Sequence, residues 1–509
     1  MKDRLQAGTV ILGCLLLVAV TGCTSSGGTS APSSAAASAV TTSTLIVGQF
    51  NTDISDEYPR IDNAKVAEAI KLSAADVVGV EEGGAAIPEL AKDLGWSYYD
   101  VRMQIVSRLP LIDPPGADGV YTFVQVTPGH VVAMENVHLP SSPYGPYWVR
   151  DGKTAQQVVA MERHARLPAI QAQLAAAHDL EQQGIPVFLT GDFNSPSFQD
   201  WTAATVGTRK YTPYAVRWPV TAAVVAAGFR DSYRTVYPDP VQDPGLTWPV
   251  HRPIPGWNPK PRDPLDRIDF IFATAPATPT ASIIVGEPGG PQLAATVAPW
   301  QSDHRDIAST FLVAGVAPPT LVSMAQRLIT VGDPAVAAYH APAGDRVEVG
   351  VAPPQQGTFT PIEGQDAAGA DGTLRFDTSS WKPGAYEARL VDASGAPAST
   401  YPFWVEAPGT VPRIAVAKPS YRVGEPIQVS WENAPGERWD WVAVYARGAD
   451  PNVASYLTWA YTKSTVDGSL TLDRPSFGPW PLKPGKYSVY LLKDDLYVKA
   501  AAATFTVTP

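Results

Sequence analysis

Cysteine is nearly absent from this sequence: its 509 residues contain only Cys14 and Cys23. A disulfide-stapled miniprotein and a zinc site built from clustered cysteines are therefore excluded. Charge is also sparse, because charged residues make up 17% of the chain, the formal net charge is −11 and no long basic block occurs. This disfavours a protein held on nucleic acid mainly by neutralising phosphates, but it allows an enzyme that meets a polyanion through a bound metal.

Long apolar runs are scarce too. Residues 10–20 form the only apolar run long enough to suggest insertion into a membrane, which excludes a polytopic transporter or channel. Lys2 and Arg4 precede this run and the letters VTGC follow it, a pattern typical of a secretion signal. VTGC resembles a bacterial lipobox, which implies cleavage before Cys23 and acylation of that cysteine. We therefore expect residues 1–22 to be a lipoprotein signal peptide; the alternative is an ordinary signal cleaved nearby or an uncleaved anchor helix.

Residues 23–43 are rich in Ser, Ala, Thr and Gly and are expected to form a flexible tether, because they have too few apolar side chains to offset the entropy of ordering. The expected location is the cell surface, with the exported chain anchored by lipid to the outer face of the bacterial membrane. Beyond the tether, a hydrophobic fraction of 45% is sufficient for about two to four domains.

Residues 44–314 have the pattern of a single α/β domain, because short β-like runs alternate with helical spacing. The β-like runs are residues 45–50, 77–80, 131–137, 187–190 and 268–273. Helical spacing occurs at residues 64–72 and 166–181, where apolar side chains recur on one face. Pro318 and Pro319 are expected to mark the boundary of this domain.

Beyond that boundary, short strands are divided by Gly and Pro with a weak internal repeat. GDRVEVGV from Gly344 is echoed by GEPIQVSW from Gly424, DGTLRF by DGSLTL, and WKPGAY by LKPGKY. The repeat predicts two tandem all-β modules, immunoglobulin-like sandwiches at residues 319–408 and 411–509. Four aromatic residues of the second module form a sugar-binding platform or, as we favour, lie mostly in the sandwich core. These residues are Trp431, Trp439, Trp441 and Tyr445.

Polar residues follow many of the apolar runs in the α/β region. They are Asn51, Asp53, Glu82, His138, Asp192, Asn194, Asp269, Asp303 and His304. Each one alone is explained equally well as a helix cap, a turn residue or a structural histidine. Their shared position at strand ends instead predicts that a central sheet gathers them at one edge, where open α/β sheets bind ligands.

At these residues the sequence resembles the endonuclease/exonuclease/phosphatase superfamily, which has the deoxyribonuclease I-like fold. The matching motifs occur in the family's order: FNTD, DVVGVEE, IVSRLPL, NVHL, GDFNS, RIDFIF and SDH. The resemblance implies an α/β four-layer sandwich, in which two packed β-sheets are flanked by helices and the active site lies along one edge.

The resemblance also assigns roles to individual residues. Glu82 resembles the principal magnesium carboxylate, and Asn51, with Asp303 and Asp53 in supporting positions, completes the metal site. The residues implied in catalysis are His138, Asp192, Asn194, Asp269 and His304. Among these, Asp192 orients or deprotonates the attacking water beside Asn194, His138 reaches a phosphate oxygen, and Asp269 orients the ring of His304. Ser302 and Arg267 are expected to support the site, as a turn hydroxyl and as half of an internal ion pair.

The chemistry fits these roles independently. Mg²⁺ prefers oxygen ligands, which suits Glu82 and Asn51; Mn²⁺ or Ca²⁺ can take the same place. A carboxylate beside an imidazole raises the imidazole pKa, so His304 next to Asp269 would supply a cationic donor near neutral pH. The residue before the metal glutamate is often Gln in this family, whereas here it is Glu81, which is the fallback ligand.

Substrate-contacting residues are harder to assign. Tyr98, Tyr99 and Arg102 are candidates. Two Pro-rich loops are expected near the site: one could stack on substrate or simply pack against the domain, and the other, residues 236–264, is expected to shape the substrate site. Their candidate side chains are Tyr144, Tyr147 and Trp148 in the first, and Trp248, His251, Arg252, Trp257, Lys260 and Arg262 in the second.

The sequence therefore predicts a surface-anchored, metal-dependent phosphoesterase that hydrolyses a phosphodiester or phosphomonoester by in-line attack of water. Its substrate would be a nucleic acid, a lipid head group or a small metabolite. Apart from the membrane anchor, no obligate protein partner is evident. The alternative is a catalytically silent adhesion protein that binds through its C-terminal β-sandwiches.

Overall fold

A computed structural model describes residues 42–53, 62–117, 119–251, 259–353, 357–473, 480–493 and 496–509. The predicted signal peptide, Cys23, most of the predicted tether, Arg252 and Trp257 lie outside the described residues. Across the described ranges, no helix combines the length and the apolar character that crossing a bilayer requires.

The α/β domain runs to the end of the thirteenth strand. Its strands are β1 (Ser43–Asn51), β2 (Val77–Glu81), β3 (Tyr98–Asp100), β4 (Ile105–Ser107), β5 (Leu111–Ile112), β6 (Thr122–Thr127), β7 (His130–His138), β8 (Val187–Asp192), β9 (Arg230–Asp231), β10 (Asp269–Ala273), β11 (Thr278–Gly286), β12 (Ala295–Thr296) and β13 (Asp306–Val313). Its α-helices are α1 (Asn63–Ser73), α2 (Ile87–Leu94), α3 (Gly145–Arg150), α4 (Ala155–Ala165), α5 (Gln171–Gln182), α6 (Pro219–Ala226) and α7 (Ser232–Val236). Short 3-10 helices are Gly84–Ala86, Leu167–Ile170 and Ala203–Thr205.

Two sheets form the centre of this domain. Among the described strands, one sheet has the order β12-β11-β13-β1-β2-β4-β3 and the other has the order β5-β6-β7-β8-β10-β9. One hydrophobic core lies between the two sheets, a second joins the first sheet to α1 and α2, and a third joins the other sheet to α5 and α6. Helix, sheet, sheet and helix thus follow one another, in the four-layer arrangement that the resemblance implies.

Strand alternation explains these layers. In β8, Val187 and Leu189 face the helices while Phe188 faces the opposite sheet, because successive side chains of a strand point to opposite faces. The predicted strands of the α/β region are confirmed. The predicted helix over 166–181 is confirmed only in part: a 3-10 turn at Leu167–Ile170 precedes α5, although the same apolar face packs into the core.

The remaining strands form two regions of β structure. The strands are β14 (Leu321–Met324), β15 (Leu328–Thr330), β16 (Ala335–His340), β17 (Arg346–Val351), β18 (Thr360–Asp366), β19 (Asp371–Phe376), β20 (Gly384–Val391), β21 (Pro397–Glu406), β22 (Arg413–Val416), β23 (Ser420–Arg422), β24 (Ile427–Glu432), β25 (Trp441–Ala446), β26 (Thr458–Tyr461), β27 (Gly468–Leu472), β28 (Gly485–Leu492) and β29 (Lys499–Thr508).

The two β regions, called here the first and second modules, have the same topology. The described strands of the first form sheets β14-β16-β19 and β15-β21-β20-β17-β18, and those of the second form sheets β22-β24-β27 and β23-β29-β28-β25-β26. Adding eight to each strand number converts one module into the other. Each pair of sheets encloses its own hydrophobic core, so both modules are sandwiches, while their immunoglobulin-like identity stays a prediction.

The shared topology corrects one part of the sequence repeat. GDRVEVGV lies on β17, whose counterpart is β25, whereas GEPIQVSW lies on β24, the counterpart of β16. That match is one strand out of register. The two segments look alike because each begins with a Gly turn and continues with the same alternation of apolar and polar residues. The other two matches are in register: DGTLRF and DGSLTL contain β19 and β27, and the two KPG turns precede β20 and β28.

The aromatic residues of the second module lie in three different places. Trp431 is part of the core between its sheets, while Trp441 and Tyr445 are buried on the opposite face of the five-stranded sheet. Trp439 stacks against the α/β domain instead. These four residues therefore do not share one exposed platform, in agreement with the favoured prediction that most of them are core.

Candidate active site

Polar residues replace apolar ones toward one end of the space between the two sheets. In β1, Leu45 and Val47 point into the inter-sheet core, and the next side chains on the same face are Gln49 and Asn51. In β8, Phe188 points into that core, and Asp192 lies on the same face at the end of the strand. The alternation of side chains along each strand therefore places a polar side chain at this edge, which is called here the rim.

Strand pairing sets these polar residues side by side. In the second sheet, Asp192 pairs with His138 of β7 on one side and with Asp269 of β10 on the other. In the first sheet, Asn51 pairs with Glu81. Because the two sheets pack face to face, the rim residues of both converge on the same place.

A serine brings His304 to this group from the loop before β13. The Ser302 hydroxyl donates a hydrogen bond to the backbone oxygen of Asn51 at 2.6 Å and accepts one from the backbone N–H of His304 at 2.9 Å. This confirms the predicted role of Ser302 as a turn hydroxyl. A loop far along the sequence is thereby fixed to the end of β1.

His304 lies between two buried carboxylates. Its Nδ1 is 3.0 Å from Oδ2 of Asp269, and its Nε2 is 3.6 Å from Oδ2 of Asp192. Burial lowers the pKa of His304, but the carboxylates of Asp269, Asp192 and Asp303 outweigh burial and raise that pKa well above its ordinary value. Since both ring nitrogens face carboxylate oxygens, His304 is suited to be a cationic hydrogen-bond donor and poorly suited to be a metal ligand.

Asp192 is the hydrogen-bonding centre of the rim. Its Oδ2 accepts from Nδ2 of Asn51 at 3.1 Å and from Nδ2 of Asn194 at 3.2 Å, and it lies 3.6 Å from Nε2 of His138. Its Oδ1 accepts the backbone N–H of Asn194 at 2.8 Å. Burial raises the pKa of Asp192 to about 6, against the opposing effect of His304. A carboxylate with this pKa is unprotonated at neutral pH and still basic enough to accept a proton.

The two consecutive glutamates point in different directions. Glu82 follows the end of β2 with a φ of 56°, its side chain is 33% exposed, and its Oε1 accepts Nδ2 of Asn51 at 3.1 Å. Glu81 is buried and accepts a hydrogen bond from Gln49, which also donates to Asp269 at 3.0 Å. Burial, reinforced by Asp269, raises the pKa of Glu81 well above its ordinary value. Glu82 is therefore placed to meet a bound ion, and Glu81 is not.

The donor set around Glu82 fits a hard divalent cation. Glu82 offers a carboxylate, the type of ligand that Mg²⁺, Mn²⁺ and Ca²⁺ accept. Asn51 directs its Nδ2 to Glu82, and its Oδ1 accepts the backbone N–H of Asp53 with one lone pair, which leaves a second lone pair for an ion. Asp303 lies nearby, with Oδ1 at 4.0 Å from Nε2 of His304 and Oδ2 accepting from the indole N–H of Trp248 at 3.1 Å. Asp192, Asp269 and His304 also bring ligand-type atoms within 4.8 Å of one another. These three side chains lie close together because His304 forms ion pairs with both aspartates.

Arg267 is an internal support, as the sequence predicts. Its guanidinium pairs with Asp200 at 2.9 Å and with Asp231 at 2.7 Å, and all three side chains are buried. Arg234 joins the same cluster through Asp200. The cluster thereby ties β9 and the start of α7 to the segment that leads into β10.

Aromatic rings border the rim on the side of the Pro-rich loops. Trp248 lies 6.2 Å from the ring of His304, and Tyr144 packs edge-on against both Trp248 and Tyr147 at 5.1 Å. The Tyr144 hydroxyl donates to buried Asp266 at 3.2 Å, so Tyr144 holds its loop in place. Trp148 packs into a separate small core that contains Trp201 and Trp218.

The other candidates for substrate contact lie on β3, in the turn that follows it and in the second Pro-rich loop. Tyr98 and Tyr99 are exposed on β3, at the edge of the first sheet, and the Arg102 guanidinium stacks on Trp439. From the second loop, His251 and Lys260 are on the surface and Arg262 lies 3.5 Å from Asp151. Asp53 donates its backbone N–H to Oδ1 of Asn51 at 3.3 Å.

A profile of the Endonuclease/Exonuclease/phosphatase family matches residues 48–304, which include every rim residue described above. The chain belongs to the endonuclease/exonuclease/phosphatase family. An uncharacterized protein of Caenorhabditis elegans is 32% identical to it over 237 residues, which cover 42% of this chain and 74% of that protein. Membership indicates a hydrolase that acts on phosphate esters with a divalent metal ion.

Solved structures of this family also match the chain. An endonuclease/exonuclease/phosphatase from Beutenbergia cavernae is 17% identical with a TM-score of 0.32, covering 71% of this chain and 99% of its own. An AP endonuclease from Archaeoglobus fulgidus is 13% identical with a TM-score of 0.31, covering 52% of this chain and 98% of its own.

Sequence reasoning missed two residues that support the site. Gln49 links Glu81 to Asp269, and Gln104 accepts hydrogen bonds from the turn after Glu82. Gln49 could have been found, because it is a polar residue on the inward face of an otherwise apolar strand. Gln104 gave no such signal, since its contacts depend on a tertiary approach between β2 and the turn before β4.

Proposed function

We propose that the chain is a divalent-metal-dependent phosphoesterase that hydrolyses phosphodiester or phosphomonoester bonds by in-line attack of water. The observation that carries this proposal is the placement of a cationic donor, His304, and an unprotonated carboxylate, Asp192, with Nε2 and Oδ2 3.6 Å apart at one rim. One group can donate to phosphate while the other accepts a proton from water.

Each residue then has a defined task. Asp192 accepts the proton of the attacking water, while the amide groups of Asn51 and Asn194 fix the orientation of its carboxylate. His304, oriented by Asp269, donates a hydrogen bond to a phosphate oxygen as negative charge develops there. His138, 3.6 Å from Asp192, donates to a second oxygen of the phosphate.

Glu82 and Asn51 would hold the metal ion, with Asp303 in support. Mg²⁺ is the expected ion and Mn²⁺ or Ca²⁺ are alternatives. A bound divalent ion supplies positive charge that stabilises the phosphate oxygens in the transition state. The hydrogen bond from Asn51 to Glu82 orients that carboxylate toward the same space that Asp192 faces.

Hydrolysis of bis-p-nitrophenyl phosphate by the purified chain tests the proposal directly. We expect turnover that EDTA abolishes and that added Mg²⁺ or Mn²⁺ restores. Turnover that ignores EDTA would remove the metal from the mechanism. Absence of turnover on every phosphate ester would favour the alternative, a surface binding protein that has lost catalysis.

We also propose a cellular location for this activity. The lipobox-like segment ending at Cys23 supports export and lipid anchoring at the outer face of the bacterial membrane, with substrate met outside the cell. Mass spectrometry of the chain from a bacterial membrane fraction tests this, because an acylated Cys23 at the mature N-terminus is the expected product. Turnover compared across DNA, RNA, phospholipid and nucleotide esters would then identify the substrate class.

A further inference from the structure

One turn of the second module makes two contacts with the α/β domain. This turn, residues 437–440 between β24 and β25, places Nη1 of Arg438 3.1 Å from Oδ1 of Asp113. The next residue, Trp439, lies under the Arg102 guanidinium, with the Cζ atom 4.0 Å from the ring centroid. Tyr461 packs edge-on against Trp439 at 4.8 Å and holds the indole in position.

Arg102 is clamped from both sides. A Cβ atom at Gly119 would lie 1.6 Å from Nη1 of Arg102, so the guanidinium occupies the space that a side chain at position 119 would need. Trp439 covers it from the second module. Arg102 is therefore held as a structural contact between domains and is not presented to substrate as the sequence suggested.

The turn that contains Arg102 also supports Glu82. Two residues after Arg102, Gln104 accepts the backbone N–H of Val80 with its own backbone oxygen at 2.7 Å. The Gln104 side chain accepts the backbone N–H of Gly83 at 3.0 Å. Gln104 thus binds the chain on both sides of Glu82, two residues before it at Val80 and one residue after it at Gly83.

We propose that the second module is a positioning element for the metal carboxylate: Trp439 fixes Arg102, the turn at residues 101–104 is thereby fixed, and Gln104 in turn fixes Glu82. The inference rests on the proposed metal site. Partners beyond the ligands of a metal orient those ligands and typically change affinity about 10-fold to 100-fold when removed. The second module therefore contributes to metal affinity without contacting the ion.

The first module provides a matched comparison. Its Tyr401 donates a hydrogen bond to Oδ2 of Asp113 at 2.8 Å, on the same aspartate that Arg438 contacts. The Tyr401 hydroxyl donates to Asp113 and accepts from Arg327, and neither of these residues belongs to the turn of residues 101–104. We therefore expect the contact between Trp439 and Arg102 to remain when the docking at Tyr401 is weakened.

The test is Mn²⁺ binding to the metal-free full chain, measured by isothermal titration calorimetry without substrate. The variants are Trp439→Ala, Arg102→Met and Gln104→Met, with Tyr401→Phe as the control. We expect Kd to rise about 10-fold for Gln104→Met, and by a smaller, mutually equal factor for Trp439→Ala and Arg102→Met. The double variant at positions 102 and 439 should match either single one, because both remove the same contact. Tyr401→Phe should stay within about twofold of wild type.

The possible results separate the inference from the function on which it rests. Wild-type chain that binds no Mn²⁺ would refute the proposed metal site itself. Wild-type binding with unchanged Kd in Trp439→Ala and Arg102→Met would refute the positioning role alone. An equal loss in Tyr401→Phe would refute it as well, because docking in general would then be the cause. Should Trp439→Ala fail to fold, Arg102→Met decides from the other side of the contact.

Discussion

The rim of the α/β domain and the interiors of the two β-modules differ in what they bury. At the rim, the buried polar residues are brought together by strand pairing and hydrogen bonds. They are Asn51, Glu81, Asp192, Asp269 and His304. In the described parts of the modules, the charged side chains that are buried are Arg327, Asp345 and Asp440, and the cores are aliphatic and aromatic.

This difference shows where the molecule tolerates the unfavourable free energy of burying charged groups. Burying charge is unfavourable unless partners compensate for it, so clusters of buried charge tend to persist at functional sites. The buried charges of the modules follow the same rule, because Arg327 faces Asp113 and Asp440 accepts the backbone N–H of Glu437 in the turn that carries Trp439. Charge is buried in the modules mainly where they meet the α/β domain.

Removing the cationic donor should have the largest effect. His304→Ala is expected to lower kcat by about 10³-fold, because the hydrogen bond to the developing charge is lost. Steady-state hydrolysis of bis-p-nitrophenyl phosphate measures the change. His178→Ala, an exposed histidine on α5, is the matched control and should be unaffected. Near-normal turnover of His304→Ala would mean that the rim is a structural ion cluster with no part in catalysis.

The two glutamates at the end of β2 give the next largest contrast. Glu82→Gln should raise the Kd for Mn²⁺ by at least about 10-fold, because a partly exposed carboxylate ligand loses its charge. Glu81→Gln should leave that Kd within about twofold, since Glu81 points into the protein toward Gln49. Titration calorimetry on metal-free chain compares them. The reverse result would show that Glu81, and not Glu82, is the metal ligand.

The pH profile should report both charged groups of the rim. Asp192 must be unprotonated to act, so kcat/KM is expected to fall about tenfold per pH unit below its pKa of about 6. His304 must be protonated, so activity should also fall as pH rises, but only well above the ordinary histidine value because its pKa is raised. The two apparent pKa values belong to the interacting pair. A profile that is flat between about pH 5 and pH 8 would contradict these roles.

The same comparison explains how far the sequence predicts the structure. The rim was predictable because strand alternation is local: a polar residue at the end of an apolar run, as at Asn51, Asp192 and Asp269, marks where the inter-sheet core ends. Glu82 was preferred to Glu81 on the basis of the resemblance. The positive φ that turns the Glu82 side chain outward is visible only in the folded chain.

The modules were predictable in outline and not in their contacts. Two of the three repeated segments lie on equivalent strands, because KPG turns and DG turns have local signatures. The turn that meets the α/β domain falls between β24 and β25, where the second module has residues 433–440 and the first has the shorter residues 341–345. Trp439 therefore lies outside the repeat, and pairing it with Arg102 required the tertiary fold.

The smallest expected effect concerns the docking of the first module. Tyr401→Phe removes the hydrogen bond to Asp113 and a second one from Arg327, and should destabilise the chain by about 1–2 kcal/mol. Scanning calorimetry should show a melting temperature lower by about 2–4 °C, with kcat on bis-p-nitrophenyl phosphate unchanged. Tyr386→Phe, which loses only a bond to a backbone oxygen within the first module, is the control for a buried hydroxyl. A fall in kcat for Tyr401→Phe alone would show that the docking of the first module also affects catalysis at the rim.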